Sequence, residues 1–215
     1  MSLRLLLYLD TNIFLDLIRN RNDDSRELFR EIVKGEYGAI TSTFTQLEIM
    51  EEEQERIFAE REIVHRKRSF DEVRNAIGQR DLTNVELESV RIILGKQILK
   101  PFIDKEKIEL RYLTEVGWDR AFEFQSKLNI SATDSIHLAI ADIAGCDIFV
   151  TNDTQLRKVA SSFFAPSVMV FAKPSDMRNQ KELLRKARSR KKVDKERQNT
   201  HARSQSTDSL NRITS

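Results

Sequence analysis

The chain has 215 residues, of which 40% are hydrophobic and 33% charged, with 6 Gly, 3 Pro and 1 Cys. That length suits one domain with extra elements, and the scarcity of glycine and proline favours long helices over a turn-rich all-β fold. No stretch approaches the roughly 20 apolar residues of a membrane span, and the opening leucine run ends at Asp10 and Asn12 with no small-residue cleavage site, so neither a span nor a signal peptide is expected.

The single cysteine, Cys146, cannot form an internal disulfide, so a reducing cytoplasm is the expected compartment. It lies in an apolar run and reads as a small core residue rather than a nucleophile. The formal net charge of +2 conceals an asymmetry. From Lys173 to Ser215 there are 13 Lys+Arg against 5 Asp+Glu, a net of +8, whereas the residues before them carry 23 against 29, a net of −6. A basic tail on a mildly acidic body suits a polyanionic partner, because Lys and Arg release counterions from phosphates; the alternative is a solvated, solubilising appendage.

In chain order, 5–9 is a continuous apolar run that suits a strand buried on both faces of a parallel sheet. Ile13, Phe14, Leu17 and Ile18 then recur at helical spacing. A second helix is predicted over 25–34 and stopped by Gly35, followed by a strand over 37–41. Thr45-Gln-Leu-Glu48 fits a capping box, so a helix is predicted from there to about Ile77, with Glu51-Glu52-Glu53 and Arg66-Lys67-Arg68 on its solvated faces. Another helix is predicted over 84–99 and ended by Pro101. A strand over 108–113 and a helix over 118–128 follow, with Trp118, Phe122 and Phe124 read as core. Ser131 or Thr133 caps a helix that runs to Ala144 and stops at Gly145. The last predicted elements are a strand over 147–150, a helix over 153–160, a strand over 168–172 and a partly helical segment over 181–196, with 200–215 expected to be disordered. The expectation is an α/β fold. It has a parallel sheet of about five strands with flanking helices, joined by right-handed crossovers, plus an enlarged helical arm and a basic tail. The domain is expected over 1–172, with the arm at about 50–107, and the tail over 173–215.

In such sheets ligands bind at the carboxyl ends of the strands. Asp10 ends strand one, Asp153 lies just past strand four, and Glu48 and Asp134 lie in early turns of helices at the same edge. Each alone reads as a helix cap or a favourable charge at a helix start; the coincidence of four at one edge points to chemistry. Four converging carboxylates repel one another unless cations sit between them. An all-oxygen set suits Mg2+ or Mn2+, whereas the histidines 65, 137 and 201 are scattered and leave no zinc pattern. His137, one turn after Asp134, reads as a packed or capping residue.

Leu9-Asp10-Thr11-Asn12 after a hydrophobic strand resembles the opening motif of the PIN-domain ribonucleases (VapC-like). The segment from Ser42 to Glu48 resembles the second acidic motif of that family, Thr133-Asp134 through Ala141 the third, and Phe149-Val150-Thr151-Asn152-Asp153 the fourth. The resemblance implies divalent-metal-dependent hydrolysis of RNA, with Asp10, Glu48, Asp134 and Asp153 as catalytic metal ligands. Asn12 and Thr151 would support the ligands or contact phosphate. It also implies a toxin–antitoxin role, with RNA as substrate and an antitoxin as candidate partner. The stretch between Glu48 and Asp134 is longer than a compact member of that family needs. Its apolar seam of Met50, Ile57, Phe58, Val64, Ile92, Ile93 and Ile98 suits a protruding arm that pairs in a homodimer or with a partner; the alternative is that the seam packs back on the domain.

Two other readings stand beside this one. A haloacid dehalogenase-like phosphohydrolase places a second aspartate two residues after the first, where this chain has Asn12, which cannot act as a general acid. A non-catalytic RNA- or protein-binding module has no need to hold four mutually repelling carboxylates.

Overall fold

The computed structural model describes residues 4–164 and 169–179. Its five strands form one all-parallel sheet in the order β3-β2-β1-β4-β5. These are β1 (Leu6–Leu9), β2 (Gly38–Ser42), β3 (Glu109–Arg111), β4 (Ile148–Val150) and β5 (Val170–Ala172). Side chains alternate along each strand, so the apolar runs bury both faces. Leu7, Leu9, Ile148, Val150 and Ala172 join a core with α1 (Thr11–Ile18), α2 (Asp23–Lys34) and α9 (Pro174–Asn179). Tyr8, Ile40, Phe149 and Phe171 join a second core with α6 (Glu115–Leu128), α7 (Ala132–Ile143) and α8 (Thr154–Phe164). Cys146 is buried in that second core, as expected. Met177 of α9 packs in the first core, so the packed body extends past Ala172. The segment 181–196, expected to be partly helical, and 200–215, expected to be disordered, lie outside the described residues.

Several expected boundaries shift for local reasons. The helix after β2 is α3 (Thr43–Glu60), which starts before the expected capping box. Ser42 is its N-cap, accepting from the amides of Phe44 and Thr45, and the Thr45 hydroxyl is buried against Thr41. The single helix expected to run on to Ile77 breaks instead. After α3 the chain widens into a π-helical turn over Arg61–His65, and Lys67 adopts a left-handed conformation at φ 57°. Ser69 then restarts the chain as the capping box of α4 (Phe70–Ala76). Nor does Pro101 end a helix. After α5 (Asn84–Leu94) it sits inside a π-helical stretch, Gly95–Ile103, whose wide turns accommodate a residue that lacks an N–H donor. Gly35 closes α2 at φ 89°, a left-handed position that favours glycine.

One of the two charged runs departs from expectation. Glu53 is only 1% exposed and is held between Arg19 and Arg56. Three consecutive helical residues span about 200° of the helix, so they cannot all share a solvated face. Arg66, Lys67 and Arg68 are exposed, as expected, and Arg66 and Arg68 also pair with the buried Glu62. Within 50–107, Phe58, Val73 and Val90 are buried, and Ile98 and Phe102 pack in the first core, whereas Val64 and Ile92 are exposed. Part of the seam therefore packs back on the body. Ile98→Ala is expected to lower unfolding stability by about 2–5 kcal/mol, because it leaves a cavity in a closed core. Denaturant midpoints at unchanged slope measure this, and a loss below about 0.5 kcal/mol would mean that Ile98 packs on nothing the fold depends on.

Trp118 and Phe122, read as core, are 44% and 62% exposed, while Phe124 is fully buried. On a helix, residues two apart point to nearly opposite sides. Phe122 and Phe124 therefore cannot share one face, and the buried face of α6 runs through Gly117, Ala121 and Phe124. Among the described residues no helix is long and apolar enough to cross a membrane.

Candidate functional site

The chain order of the sheet reverses direction at β1: β2 and β3 lie on one side, β4 and β5 on the other. The crevice outside the carboxyl ends of β1 and β4 is the usual ligand position in such sheets. Asp10 follows β1 and Thr151 follows β4 at that point. A cleft of about 300 Å³ opens here, lined by Asp10, Thr11, Asn12, Leu15, Glu48, Glu51, Glu52, Glu55, Asp134 and Asp153. All four expected carboxylates and Asn12 thus reach one cleft, and among the described residues no lysine or arginine lines it. Glu51, Glu52 and Glu55, which the sequence left unassigned to the site, join Glu48 at spacings of three, four and seven on one face of α3.

Asp10 is the N-cap of α1 and is 7% exposed. Its Oδ1 accepts from the Thr11 amide at 2.8 Å; its Oδ2 accepts from Asn12 Nδ2 at 2.6 Å and from the Thr151 hydroxyl at 2.5 Å. Burial is the largest influence on its pKa and raises it above the ordinary carboxylate value. His137, Thr151 and the Thr11 amide pull in the other direction without overcoming burial. Asn12 ties the segments after β1 and β4 together, donating to Thr151 Oγ1 at 2.8 Å and accepting from the Asn152 amide at 3.0 Å. Thr151, fully buried beneath the cleft, also accepts from the Asp153 amide at 3.0 Å. The Asn152 side chain donates to Asp16 at 2.6 Å, which fixes the loop from behind.

Glu48 is not a capping residue. Its Oε2 accepts from the Thr11 hydroxyl and from His137 Nε2, the latter at 2.8 Å. Burial alone would raise its pKa, but the hydrogen bond and charge of His137, with Thr11, outweigh burial and hold it below the ordinary range. His137 is 1% exposed, and its Nδ1 lies 2.5 Å from the Tyr8 hydroxyl. Burial would lower its pKa, yet Glu48, Asp10 and Asp134 together raise it. The sequence placed His137 among packed residues. The available signal was its position three residues after Asp134, which puts both on one helix face.

Asp134 and Asp153 combine capping with their place in the cleft. Ser131 caps α7 and donates its hydroxyl to Asp134 Oδ2 at 2.7 Å, while Asp153 Oδ1 accepts from the Leu156 amide at 2.8 Å in the first turn of α8. Among the described residues no three His, Cys, Asp or Glu side chains stand close enough together to hold a metal ion as they are. The donors are nevertheless all carboxylates, which is the chemistry hard divalent cations require. They also line one cleft that, among the described residues, has no lysine or arginine in its lining.

The sequence matches the family model of the PIN domain over residues 7–162. No curated protein matches it. Two of the solved structures that align with it do so at low identity. One is VapBC2 from Rickettsia felis bound to a DNA fragment from its promoter, at 11% identity and a TM-score of 0.46, covering 79% of this chain and 98% of that one. The other is FitAcB from Neisseria gonorrhoeae, at 16% identity and a TM-score of 0.48, covering 78% and 97%.

Proposed function

The chain belongs to the PIN domain family, and from its acidic cleft we propose that it is a divalent-metal-dependent endoribonuclease. The observation that carries this reading is the cleft itself. Asp10, Glu48, Asp134 and Asp153 come from four separate parts of the chain and line one opening at the switch point of a parallel sheet. As charged groups they repel one another, and Mg2+ or Mn2+ is the neutralising partner this donor set suits. In this reading those four residues hold the cation. When bound, such a cation activates water and neutralises charge on the scissile phosphate.

The remaining residues hold the ligands in place. Asn12 and Thr151 donate to Asp10 Oδ2 and keep that carboxylate turned toward the cleft. Thr11 donates its hydroxyl to Glu48 and its amide hydrogen to Asp10 Oδ1, coupling the two carboxylates through one residue. The phosphohydrolase alternative needs a proton donor at position 12. Asn12 already spends its amide hydrogens on Asp10 and Thr151, so it neither carries nor relays such a proton.

The test is cleavage of RNA by the full-length protein with Mg2+ or Mn2+ and with excess chelator, beside a generic phosphomonoester. Metal-dependent RNA cleavage with no phosphomonoesterase activity is expected. The reverse pattern selects the phosphohydrolase, and cation binding without either activity selects a binding module. The toxin half of a toxin–antitoxin pair, working in the cytoplasm, is the finer form of the proposal. It requires a small DNA-binding protein encoded beside this chain that binds it and blocks cleavage.

The basic tail is proposed to raise RNA affinity without choosing the cleavage site, because Lys and Arg contacts to phosphates carry no base information. Met177 packs in the core, so the cut that spares the body falls after Asn179. Residues 180–215 carry 11 Lys+Arg against 4 Asp+Glu. Each lost phosphate contact lowers the salt slope by about 0.7 for a single strand. Truncation is expected to weaken RNA binding and flatten its salt dependence, with cleavage positions unchanged at saturating enzyme. An unaltered slope makes the tail a solvated appendage, and moved cleavage sites give it a reading role.

A further inference from the structure

His137 is the buried imidazole that touches a cleft carboxylate, and its surroundings leave it little freedom. Tyr8 faces it edge-on at 5.8 Å between ring centroids and stacks on Phe149 at 4.9 Å. The Tyr8 hydroxyl meets His137 Nδ1 at 2.5 Å. His137 Nε2 meets Glu48 Oε2 at 2.8 Å, across 89 residues of sequence. A continuous path therefore runs from Tyr8 on β1, through His137 on α7, to the carboxylate on α3.

The direction of the hydrogen bonds follows from chemistry. With a neutral ring, Tyr8 donates to Nδ1, so the ring proton sits on Nε2 and points at Glu48. In the imidazolium, Nε2 carries a proton as well. The bond to Glu48 thus survives either state of the ring. Glu48 needs this hold. Its neighbours in the cleft are Asp10, Glu51, Glu52 and Glu55, and a flexible carboxylate among like charges swings toward water unless it is anchored.

Building on the metal-site reading above, we propose that His137, held by Tyr8, is a positioning residue that keeps Glu48 oriented to take a divalent cation. It touches neither substrate nor reacting atoms; it acts through Glu48. A histidine that only fills space would be indifferent to which atom faces Glu48, and that difference is measurable.

The experiment is Mn2+ binding to the full-length protein without RNA, read from the electron paramagnetic resonance signal of the free ion. His137→Leu keeps an apolar side chain and removes the donor; it is expected to weaken Mn2+ binding by about 10- to 100-fold, the usual loss when the partner of a metal ligand is removed. His137→Gln brings an amide N–H toward the place of Nε2 and is expected to recover most of that loss. Tyr8→Phe removes only the hydroxyl that sets the ring and is expected to weaken binding by a smaller factor. Undiminished affinity in His137→Leu, with binding lost in Asp10→Asn, overturns this proposal and leaves the metal site standing. Equal losses in the Leu and Gln variants assign the effect to packing and overturn it too. If His137→Leu does not fold, Tyr8→Phe decides, and unchanged affinity there counts against the proposal. Absence of Mn2+ binding by the unaltered protein overturns the metal-site reading and this inference with it.

Discussion

Asp10→Asn is expected to lower RNA cleavage by about a thousandfold or more while leaving a folded protein. Removing a partner of a metal ligand commonly costs 10- to 100-fold, and Asp10 is proposed to be a ligand itself. The substitution keeps shape and hydrogen-bonding size but removes one negative charge from the most buried of the four carboxylates. Its effect on stability is the sum of two opposed terms. Asparagine presents one N–H pair where Asp10 accepted from the Thr11 amide, Asn12 and Thr151, and a mismatched buried donor costs about 1–3 kcal/mol. Against this, a buried charge whose pKa is raised by desolvation disappears, which stabilises the metal-free protein. The melting temperature in chelator is therefore expected to move by no more than about 4 °C, at roughly 2–4 °C per kcal/mol for a chain of this size. Initial cleavage rates of both proteins, with melting curves on the same preparations, are the measurement. Full activity in the variant removes Asp10 from the site. A large drop in melting temperature instead turns the lost activity into a folding effect.

The second large effect concerns the cation in the absence of RNA. A ligand that binds only the folded state adds about 2.7 kcal/mol at a hundredfold excess over its Kd. For this chain that corresponds to a rise in melting temperature of roughly 5–10 °C on adding saturating Mn2+. The gain comes from placing positive charge among carboxylates that line one cleft. In Asp10→Asn the rise is expected to shrink to near zero. A cation-independent melting temperature in the unaltered protein argues against a metal centre of useful affinity. An equal rise in both proteins places the cation elsewhere on the acidic surface, for instance along Glu51, Glu52 and Glu55.

Trp118, Phe122 and Phe124 show where residue type misleads. All three are large and aromatic, yet only the residue on the face that α6 turns to α7 and the sheet is buried. Composition alone does not choose among them; helical phase does, once the neighbour is known. Glu53 makes the same point with opposite polarity: a charged residue in a run of glutamates is buried because Arg19, from another helix, reaches it. Thr45 belongs here as well. It fits a capping box in sequence, but Ser42 occupies the cap and the Thr45 hydroxyl turns inward to Thr41.

By itself the sequence determined the strand–helix alternation, the parallel sheet and the edge at which Asp10, Glu48, Asp134 and Asp153 gather. These follow from local signals: continuous apolar runs for strands buried on both faces, helical spacing, caps, and the end of each strand. Tertiary structure decided what each carboxylate touches. Glu48 meets His137 across 89 residues, and Thr151 meets Asp10 across 141, separations that no local pattern encodes. It also decided that part of the 50–107 segment packs back, since whether Ile98 faces solvent or core depends on which surface lies opposite it. Periodicity fixes the face a residue occupies; only the folded neighbours fix what that face meets, because burial and hydrogen bonding are properties of pairs rather than of single residues.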